Sequence, residues 1–346
     1  MRARAEVVGS GPVSPMPTPI VPAASAVRIP AAGPSSVYCT IYHREAGFVA
    51  LAEAELRALG GGAAAEPGIW ISREPIAWAR CGYGRAGGRQ LAFAPTLEAL
   101  AEQLLSLGLV APRFRITSRG IPKSVHGSTA AKARVADCIT GDVSVDNPQL
   151  CLLVIVSAFG YRVLVDAGAE PGDADWLGVS HKPHNYLVAL PARIAKAMIN
   201  LTVHAGDSVY DPCCGTGTIP LLAAWAGHRA YGSDISAACV RHAGENAAHF
   251  GRDVTLTCVD ARESQQTSDC IVSNLPYGVY SHFAPQARRE ILRRLGRLAP
   301  RVTLVTSERI EDDLREEGYE VTAVIAVESE RFERLVYVTR APVQPR

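Results

Sequence analysis

The sequence predicts an α/β protein whose chemistry lies in its C-terminal half, and three observations carry that expectation. From Ser208 onward strand-like and helix-like stretches alternate regularly, the mark of a parallel sheet covered on both faces. A Gly215-x-Gly217 turn follows the first of these strands, at the edge where open α/β sheets bind ligands. The last two strand patterns have no helix between them, so the final strand should pair antiparallel.

Composition sets the outer limits. A chain of 346 residues, 48% hydrophobic and 20% charged, has material for two or three globular units. Its net charge of +1 gives no global field for a nucleic acid, so any such partner needs a local patch. The longest apolar run, Leu150 to Val156, is too short to cross a bilayer, so no membrane partner is expected. Nine cysteines without a Cys-x-x-Cys pair argue against a disulfide framework or a zinc cluster. The expectation is a reduced, cytoplasmic chain with no metal, a monomer being favoured. Residues 1–36 are rich in Pro, Ala and Ser and lack the apolar core of a secretory signal. They read as a disordered tail.

Order should begin near Val37. Val37–Tyr42 has strand composition, Ala46–Leu59 has helical spacing, and Ile69–Ile71 and Leu91–Phe93 are strand candidates. Thr96 should cap a helix running to Leu107. This β-α-β-β-α order suggests a small α+β unit over residues 37–107. A second unit, 108–172, carries Arg113, Arg115, Arg119, Lys123, Lys132 and Arg134 with no acid among them. Phe114–Arg119 alternates as a strand with one basic face, which suits phosphate contacts. Leu150–Val156 and Tyr161–Asp166 follow as a hairpin. The polar 173–190 stretch reads as a linker packing against the ligand pocket. His181 and His184 within it have no further ligand at metal spacing. Pro191–Leu201 then leads as a helix into the last domain, 191–346.

The strands expected there are Ser208–Asp211, Ala230–Asp234, Thr255–Val259, Cys270–Ser273, Val302–Thr306, Glu320–Val327 and Leu335–Thr339. Helices should fill Thr218–Ala226, Ser236–Phe250, Pro285–Leu298 and Ser307–Glu317. The glycine turn is not a dinucleotide fingerprint, because Pro220 stands at the third glycine position and Asp211 would repel a pyrophosphate. An acid there suits a cationic ligand. Asp234 closes the second strand 17 residues after Gly217, a spacing suited to ribose hydroxyls, and Asp260 closes the third, where it can accept from an adenine amino group. Three acids closing three successive strands around one glycine turn specify S-adenosyl-L-methionine.

Asn274-Leu275-Pro276-Tyr277 ends the fourth strand beside that pocket. A purine amino group is a poor nucleophile because its lone pair is delocalised into the ring. The Asn274 side-chain oxygen and the Leu275 carbonyl can draw its nitrogen toward tetrahedral geometry, Pro276 fixes the backbone, and Tyr277 offers a stacking face. No cysteine lies near this tetrapeptide for covalent attack, so Cys213 and Cys214 read as small packing residues.

With these residues in hand, the chain resembles the THUMP-domain RNA methyltransferases, in their tRNA guanosine-N2 branch. The resemblance rests on Asp211-Pro212-Cys213-Cys214-Gly215-Thr216-Gly217-Thr218-Ile219, Ser233-Asp234-Ile235 and Asn274-Leu275-Pro276-Tyr277-Gly278, with Leu190-Pro191 and Ala195–Leu201 leading in. Looser matches are Phe114–Arg119 and Val145–Pro148 with the hairpin after it. It implies a Rossmann-like class I methyltransferase domain, seven-stranded with the last strand antiparallel, preceded by ferredoxin-like and THUMP domains. It implies a cofactor set of Asp211, Cys213, Gly215, Gly217, Asp234, Ile235, Asp260 and Ala261, and tRNA as partner. Of the two sub-branches, Asn-Leu-Pro-Tyr favours nucleotide 6 over nucleotide 10. The alternatives are an amino-methyltransferase on rRNA, DNA adenine or protein glutamine, and a non-catalytic RNA-binding protein with a relict donor fold.

Overall fold

This computed structural model describes residues 26–168, 173–186, 189–276, 285–329 and 332–342. Its N-terminal half is one eight-stranded sheet. The elements are β1 (Tyr38–Tyr42), α1 (Val49–Gly60), β2 (Ala63–Glu66), β3 (Ile69–Ser72), β4 (Gly84–Ala94), α2 (Leu97–Leu107), β5 (Val110–Ile121), α3 (Ser128–Ala136), β6 (Thr140–Val143), β7 (Leu150–Ser157) and β8 (Gly160–Asp166). The strand order is β2-β3-β1-β4-β8-β7-β5-β6. The expected α+β unit and the basic unit after it therefore share a sheet, joined where β4 pairs with β8. Arg162 on β8 reaches Glu66 on β2 at 3.1 Å although the two strands stand four places apart in that order. The sheet curls to bring them together and buries both charges as a pair.

Local rules account for most elements. Thr96 caps α2 by accepting from Ala99 N–H at 3.2 Å, as expected. β5 alternates: Phe114 is buried against Ala131 and Val135 of α3, whereas Arg113, Arg115 and Arg119 are exposed on the opposite face. Three expectations need correction. The tail does not extend to Ser36: Arg28 exchanges two backbone hydrogen bonds with Val110, at 2.7 and 3.0 Å, and Val27 and Ile29 pack on the α2–α3 core. The strand at Leu91–Phe93 starts much earlier, at Gly84. A further strand, β2, stands between α1 and β3.

Residues 173–186 cross to the second half in a packed path, with Trp176 and Val179 buried. There follow α4 (Ala192–Thr202), β9 (Ser208–Asp211), α5 (Thr218–Trp225), β10 (Arg229–Asp234), α6 (Ala237–His249), β11 (Thr255–Cys258), β12 (Cys270–Asn274), α7 (Pro285–Leu298), β13 (Arg301–Thr306), α8 (Glu311–Glu316), β14 (Glu320–Ser329) and β15 (Phe332–Arg340). The order β11-β10-β9-β12-β13-β15-β14 sets β15 antiparallel to both neighbours, as expected. β9 to β13 are mutually parallel, so the carboxyl ends of β9, β10, β11 and β12 share one edge. The helix expected from Ser307 begins only at Glu311. Glu308 N–H donates to Thr306 Oγ1 and Ile310 N–H to the Tyr337 hydroxyl, which holds 307–310 as a turn.

The two halves share one hydrophobic core. Leu51, Leu56 and Trp70 from the first pack with Trp176 and Val179 of the crossing and with Ile194, Met198, Ile325 and Val327 of the second. Each fully buried large side chain contributes about 1.5–3 kcal/mol. A polar tie reinforces the seam: fully buried Glu55 of α1 accepts from Gly82 N–H at 2.7 Å, Tyr83 N–H at 3.2 Å and Asn200 Nδ2 of α4 at 2.7 Å. The N-terminal sheet is thereby held in fixed register with the edge that carries the site. Among the described residues, no helix is long and apolar enough to cross a membrane.

Candidate active site

β9 delivers Asp211 to the sheet edge with only 2% of its surface exposed. Its Oδ1 accepts from Ser273 Oγ at 2.7 Å and Cys213 N–H at 3.1 Å. Burial first, with a smaller push from the nearby Asp234 charge, drives its carboxyl up to about 7 against the opposing pull of these two hydrogen bonds. The turn that follows needs glycine: Gly217 has φ 87°, and a Cβ there would stand 3.1 Å from Ala243 Cβ. The turn opens α5, whose first N–H groups have no acceptor within the helix.

Asp234 closes β10 beside that turn, accepting from Gly215 N–H through Oδ2 and from Ser236 N–H through Oδ1, both at 2.9 Å. Each oxygen keeps a lone pair for a hydroxyl. Ile235, next along, is 70% exposed and offers an apolar face for a flat ring. Asp260 lies past the end of β11 with its carboxylate gripped by Arg262, Nε to Oδ1 at 3.0 Å and Nη2 to Oδ2 at 2.6 Å. That guanidinium holds the Asp260 carboxyl below its usual range. Ala261 is buried in the core around Tyr210 and Ile271. The eight residues expected to hold a cofactor thus lie around adjoining strand ends, although Arg262 shares Asp260.

Asn274 ends β12 and lines a pocket of about 110 Å³ together with Asp211, Cys213, Gly215, Thr218 and Tyr186. Its Oδ1 is buried and has no hydrogen-bond partner among the described residues. An orphaned buried carbonyl costs stability unless a ligand supplies a donor. Leu275 is buried and anchored by its N–H to Val305 C=O at 3.1 Å, and Pro276 follows half-buried. Tyr277 lies outside the described residues. Cys213 and Cys214 have thiols pushed far up, by burial first and then by nearby acids, so they stay protonated and un-nucleophilic.

Sequence reasoning missed four residues of this site. Ser273 steadies Asp211. Tyr186, half-exposed, and Thr218, the first residue of α5, line both the small pocket and a neighbouring cleft of about 530 Å³. That cleft reaches the N-terminal half at His43, Glu45, Phe48 and Tyr83, with Arg193 at its wall. Lys182 lies in it, only 5% exposed, donating to Thr218 Oγ1 at 2.9 Å and Asn185 Oδ1 at 3.0 Å. The segment around His181 and His184 is marked in the sequence by its histidines, but the buried titratable group there is the lysine between them.

The six predicted basic residues do not form one patch. Arg113, Arg115 and Arg119 share a face of β5, Lys123 is exposed in the loop after it, and Lys132 and Arg134 sit on α3 across the sheet. Burial first, then the charges of Arg193 and Arg119, lower the affinity of the Arg85 guanidinium for a proton. Arg85 Nη2 in turn contacts the His43 ring at 2.6 Å. Burial first, then the charges of Arg85 and Arg193, push His43 down to about 4. His184, His242 and Glu245 gather potential ligand atoms within 4.8 Å of one another. The two rings are stacked 5° from parallel at 4.3 Å, so their in-plane lone pairs do not converge on one ion.

The Asp211 shift has a measurable sign. A carboxyl raised from an ordinary value near 4 to about 7 is protonated in both states below pH 4, so it costs the fold nothing there. As pH rises from about 4 to 7 the unfolded chain ionises first, and stability falls across that window. Asp211→Asn should therefore raise the melting temperature of the ligand-free protein at pH 8 and leave it unchanged at pH 4, which thermal melts at the two values check.

The fold is that of a class I methyltransferase-like α/β protein, and residues 180–310 match the family model "UPF0020: RMKL-like, methyltransferase domain", which suggests S-adenosyl-L-methionine as methyl donor. The residues fit that donor, with a buried acid for its cationic portion, an acid for its ribose and an exposed apolar face for its base. The chain is 34% identical over 116 residues to a tRNA (guanine(10)-N2)-dimethyltransferase of Methanothermobacter thermautotrophicus, a match covering 32% of this chain and 34% of that protein. A protein of the same name from Pyrococcus abyssi is 34% identical over 119 residues, covering 33% of this chain and 36% of its own. The chain thus spans about a third of the length of these curated relatives. The crystal structure of TrmN from Thermus thermophilus shares the fold across both halves, with a TM-score of 0.52, 22% identity, and coverage of 88% of this chain and 99% of that one.

Proposed function

We propose that this protein transfers a methyl group from S-adenosyl-L-methionine to the exocyclic N2 of a guanosine in tRNA. The observation that carries the proposal is the unpartnered, buried Oδ1 of Asn274, beside Asp211 and the glycine turn. When bound, the donor supplies an electrophilic methyl group on a cationic sulfur. Asn274 Oδ1 accepts one N–H of the target amine and the Leu275 carbonyl the other. With both protons directed to acceptors, the nitrogen lone pair leaves the plane of the ring and faces the donor. Catalysis is then positioning and preorganised polarity, with no covalent enzyme intermediate.

RNA as substrate is supported by the exposed arginines on one face of β5 and by Arg193 at the wall of the cleft that adjoins the pocket. Arg113, Arg115 and Arg119 would meet phosphates there, with Lys123 nearby, while Lys132 and Arg134 serve a separate face. The domain division at 107/108 and 172/173, with a THUMP-type second unit, belongs to the same reading, as does a cytoplasmic location. The relatives' names support guanine N2 as the target atom and carry nucleotide 10. The Asn-Leu-Pro-Tyr tetrapeptide favours nucleotide 6, and that position is part of the proposal.

Nucleoside mass spectrometry of tRNA from cells with and without the gene tests it. Loss of N2-methylguanosine from a fragment containing nucleotide 6 is the expected result. Loss from nucleotide 10 would correct the position, and an unchanged tRNA profile would overturn the substrate.

A further inference from the structure

The cleft of about 530 Å³ between the two halves carries a set of unmet donors. Among the described residues its wall holds two cations, Arg193 and Lys182, and one acid, the exposed Glu45. Tyr83 lines it too, only 3% exposed, and its buried hydroxyl has no hydrogen-bond partner. Burial first, then the Glu55 charge, hold the proton on that hydroxyl against the pull of Arg193, so it stays a donor. Arg85, two residues on, is likewise incomplete. Its Nε is buried without a partner, and its Nη2 meets the neutral His43 ring at 2.6 Å. Among the described residues neither Arg85 nor Arg193 pairs with a carboxylate, and Arg193 donates instead to Gly82 C=O at 2.6 Å. Such groups cost stability until an anion meets them. They are nevertheless held firmly. Glu55 accepts from Gly82 N–H and Tyr83 N–H, so α1 and α4 pin that dipeptide from two sides. The wall toward the glycine turn is fixed as well: Lys182 donates to Thr218 Oγ1, and Asn246 accepts from His184 N–H and donates to Thr216 C=O, each at 2.9 Å.

Resting on the tRNA guanosine reading, we propose that Tyr83 and Arg193, with Arg85 beside them, seat a backbone phosphate of the RNA next to the guanosine being methylated. A base in a folded RNA must leave its stack to reach Asn274, and it brings its sugar and phosphates with it. The cleft shares Tyr186, Ala189, Leu190 and Thr218 with the small pocket that holds Asn274, so the backbone of an extruded nucleotide enters it. Its volume lies in the ordinary range for a site that takes one small ligand. A phosphodiester offers acceptors only and one negative charge, which a fixed hydroxyl donor and guanidiniums without carboxylates match. The groups also sense one another, since the Arg193 charge bears on Tyr83, His43 and Arg85 alike. The N-terminal half thus belongs to the active site, through Tyr83 and Arg85. These residues position the nucleotide and take no part in the transfer.

The test compares wild type, Tyr83→Phe and Arg193→Gln on tRNAs carrying one uncharged methylphosphonate, on either side of the guanosine that wild type methylates. On all-phosphate tRNA each variant should lose about tenfold or more in kcat/KM, with S-adenosylmethionine affinity unchanged by calorimetry. One of the two methylphosphonates should cost wild type a similar factor and cost Arg193→Gln little further, because the contact it removes is already gone. Tyr83→Phe takes away an unmet hydroxyl, so it should melt no lower than wild type, which separates loss of a contact from loss of fold. Undiminished wild-type turnover on both methylphosphonate tRNAs, or losses that multiply in Arg193→Gln, would overturn the proposal. So would weakened donor binding in Tyr83→Phe, which would make the cleft a donor site. A wild type that methylates no tRNA guanosine would instead overturn the substrate reading, and this inference with it.

Discussion

Asn274→Ala should lower turnover by about 100- to 1,000-fold, the usual effect of removing one preorganised polar contact to the reacting atoms. Donor affinity, measured by calorimetry, should hardly change, because the ribose and amino-acid contacts fall to Asp234, Asp211 and the turn. The fold should not suffer either. Asn274 Oδ1 has no partner among the described residues, so its removal takes away an unmet acceptor and breaks no bond. A structural role would give the opposite pattern, a lower melting temperature with turnover falling in proportion to folded protein. Comparable loss of donor binding and turnover would contradict the assignment.

Asp234→Ala should act first on the donor. Two charge-assisted hydrogen bonds to vicinal hydroxyls amount to about 3 kcal/mol or more, which corresponds to a rise in Kd of about 100-fold. The ligand-free protein adds to the loss, since Asp234 also fixes the glycine turn through Gly215 N–H and the start of α6 through Ser236 N–H. Asp234→Asn keeps one acceptor oxygen and should fall between the two. At saturating donor the Ala variant should regain much of its turnover, a KM effect that separates it from Asn274→Ala. Unchanged donor affinity by calorimetry would contradict the role.

The catalytic sheet was largely legible in the chain because its strands obey local rules. Ser208–Asp211 and Pro285–Leu298 have the expected bounds, and the acids at the ends of β9 and β10 could be named from spacing alone. The N-terminal sheet was less legible because its decisive features are tertiary. β4 begins in Gly84, Gly87 and Gly88, residues that weaken strand propensity. Gly88 is needed there because a Cβ would stand 1.9 Å from the Val165 carbonyl oxygen of the neighbouring strand. β2 is a four-residue edge strand of alanines and one glutamate, and Glu66 makes sense only beside Arg162, 96 positions away. Val27 and Ile29 sit in a proline-rich stretch whose composition hides their packing.

The same limit applies at the site. Asp211, Asp234 and Asn274 announce themselves by residue type at strand ends. Lys182, Ser273 and Asn246 matter through partners that only the fold supplies: Thr218 for the lysine, Asp211 for the serine, the Thr216 carbonyl for the asparagine. A basic run likewise divides once helix and strand geometry are imposed, which is why Lys132 and Arg134 part from Arg113, Arg115 and Arg119.

The most direct measurement of the central claim replaces guanosine by inosine, which lacks the N2 amino group, at single positions of an unmodified tRNA transcript. Purified protein with labelled S-adenosylmethionine should methylate the all-guanosine transcript, and inosine at nucleotide 6 should abolish incorporation while inosine at nucleotide 10 leaves it intact. Undiminished incorporation with inosine at both positions would contradict methylation of either amino group.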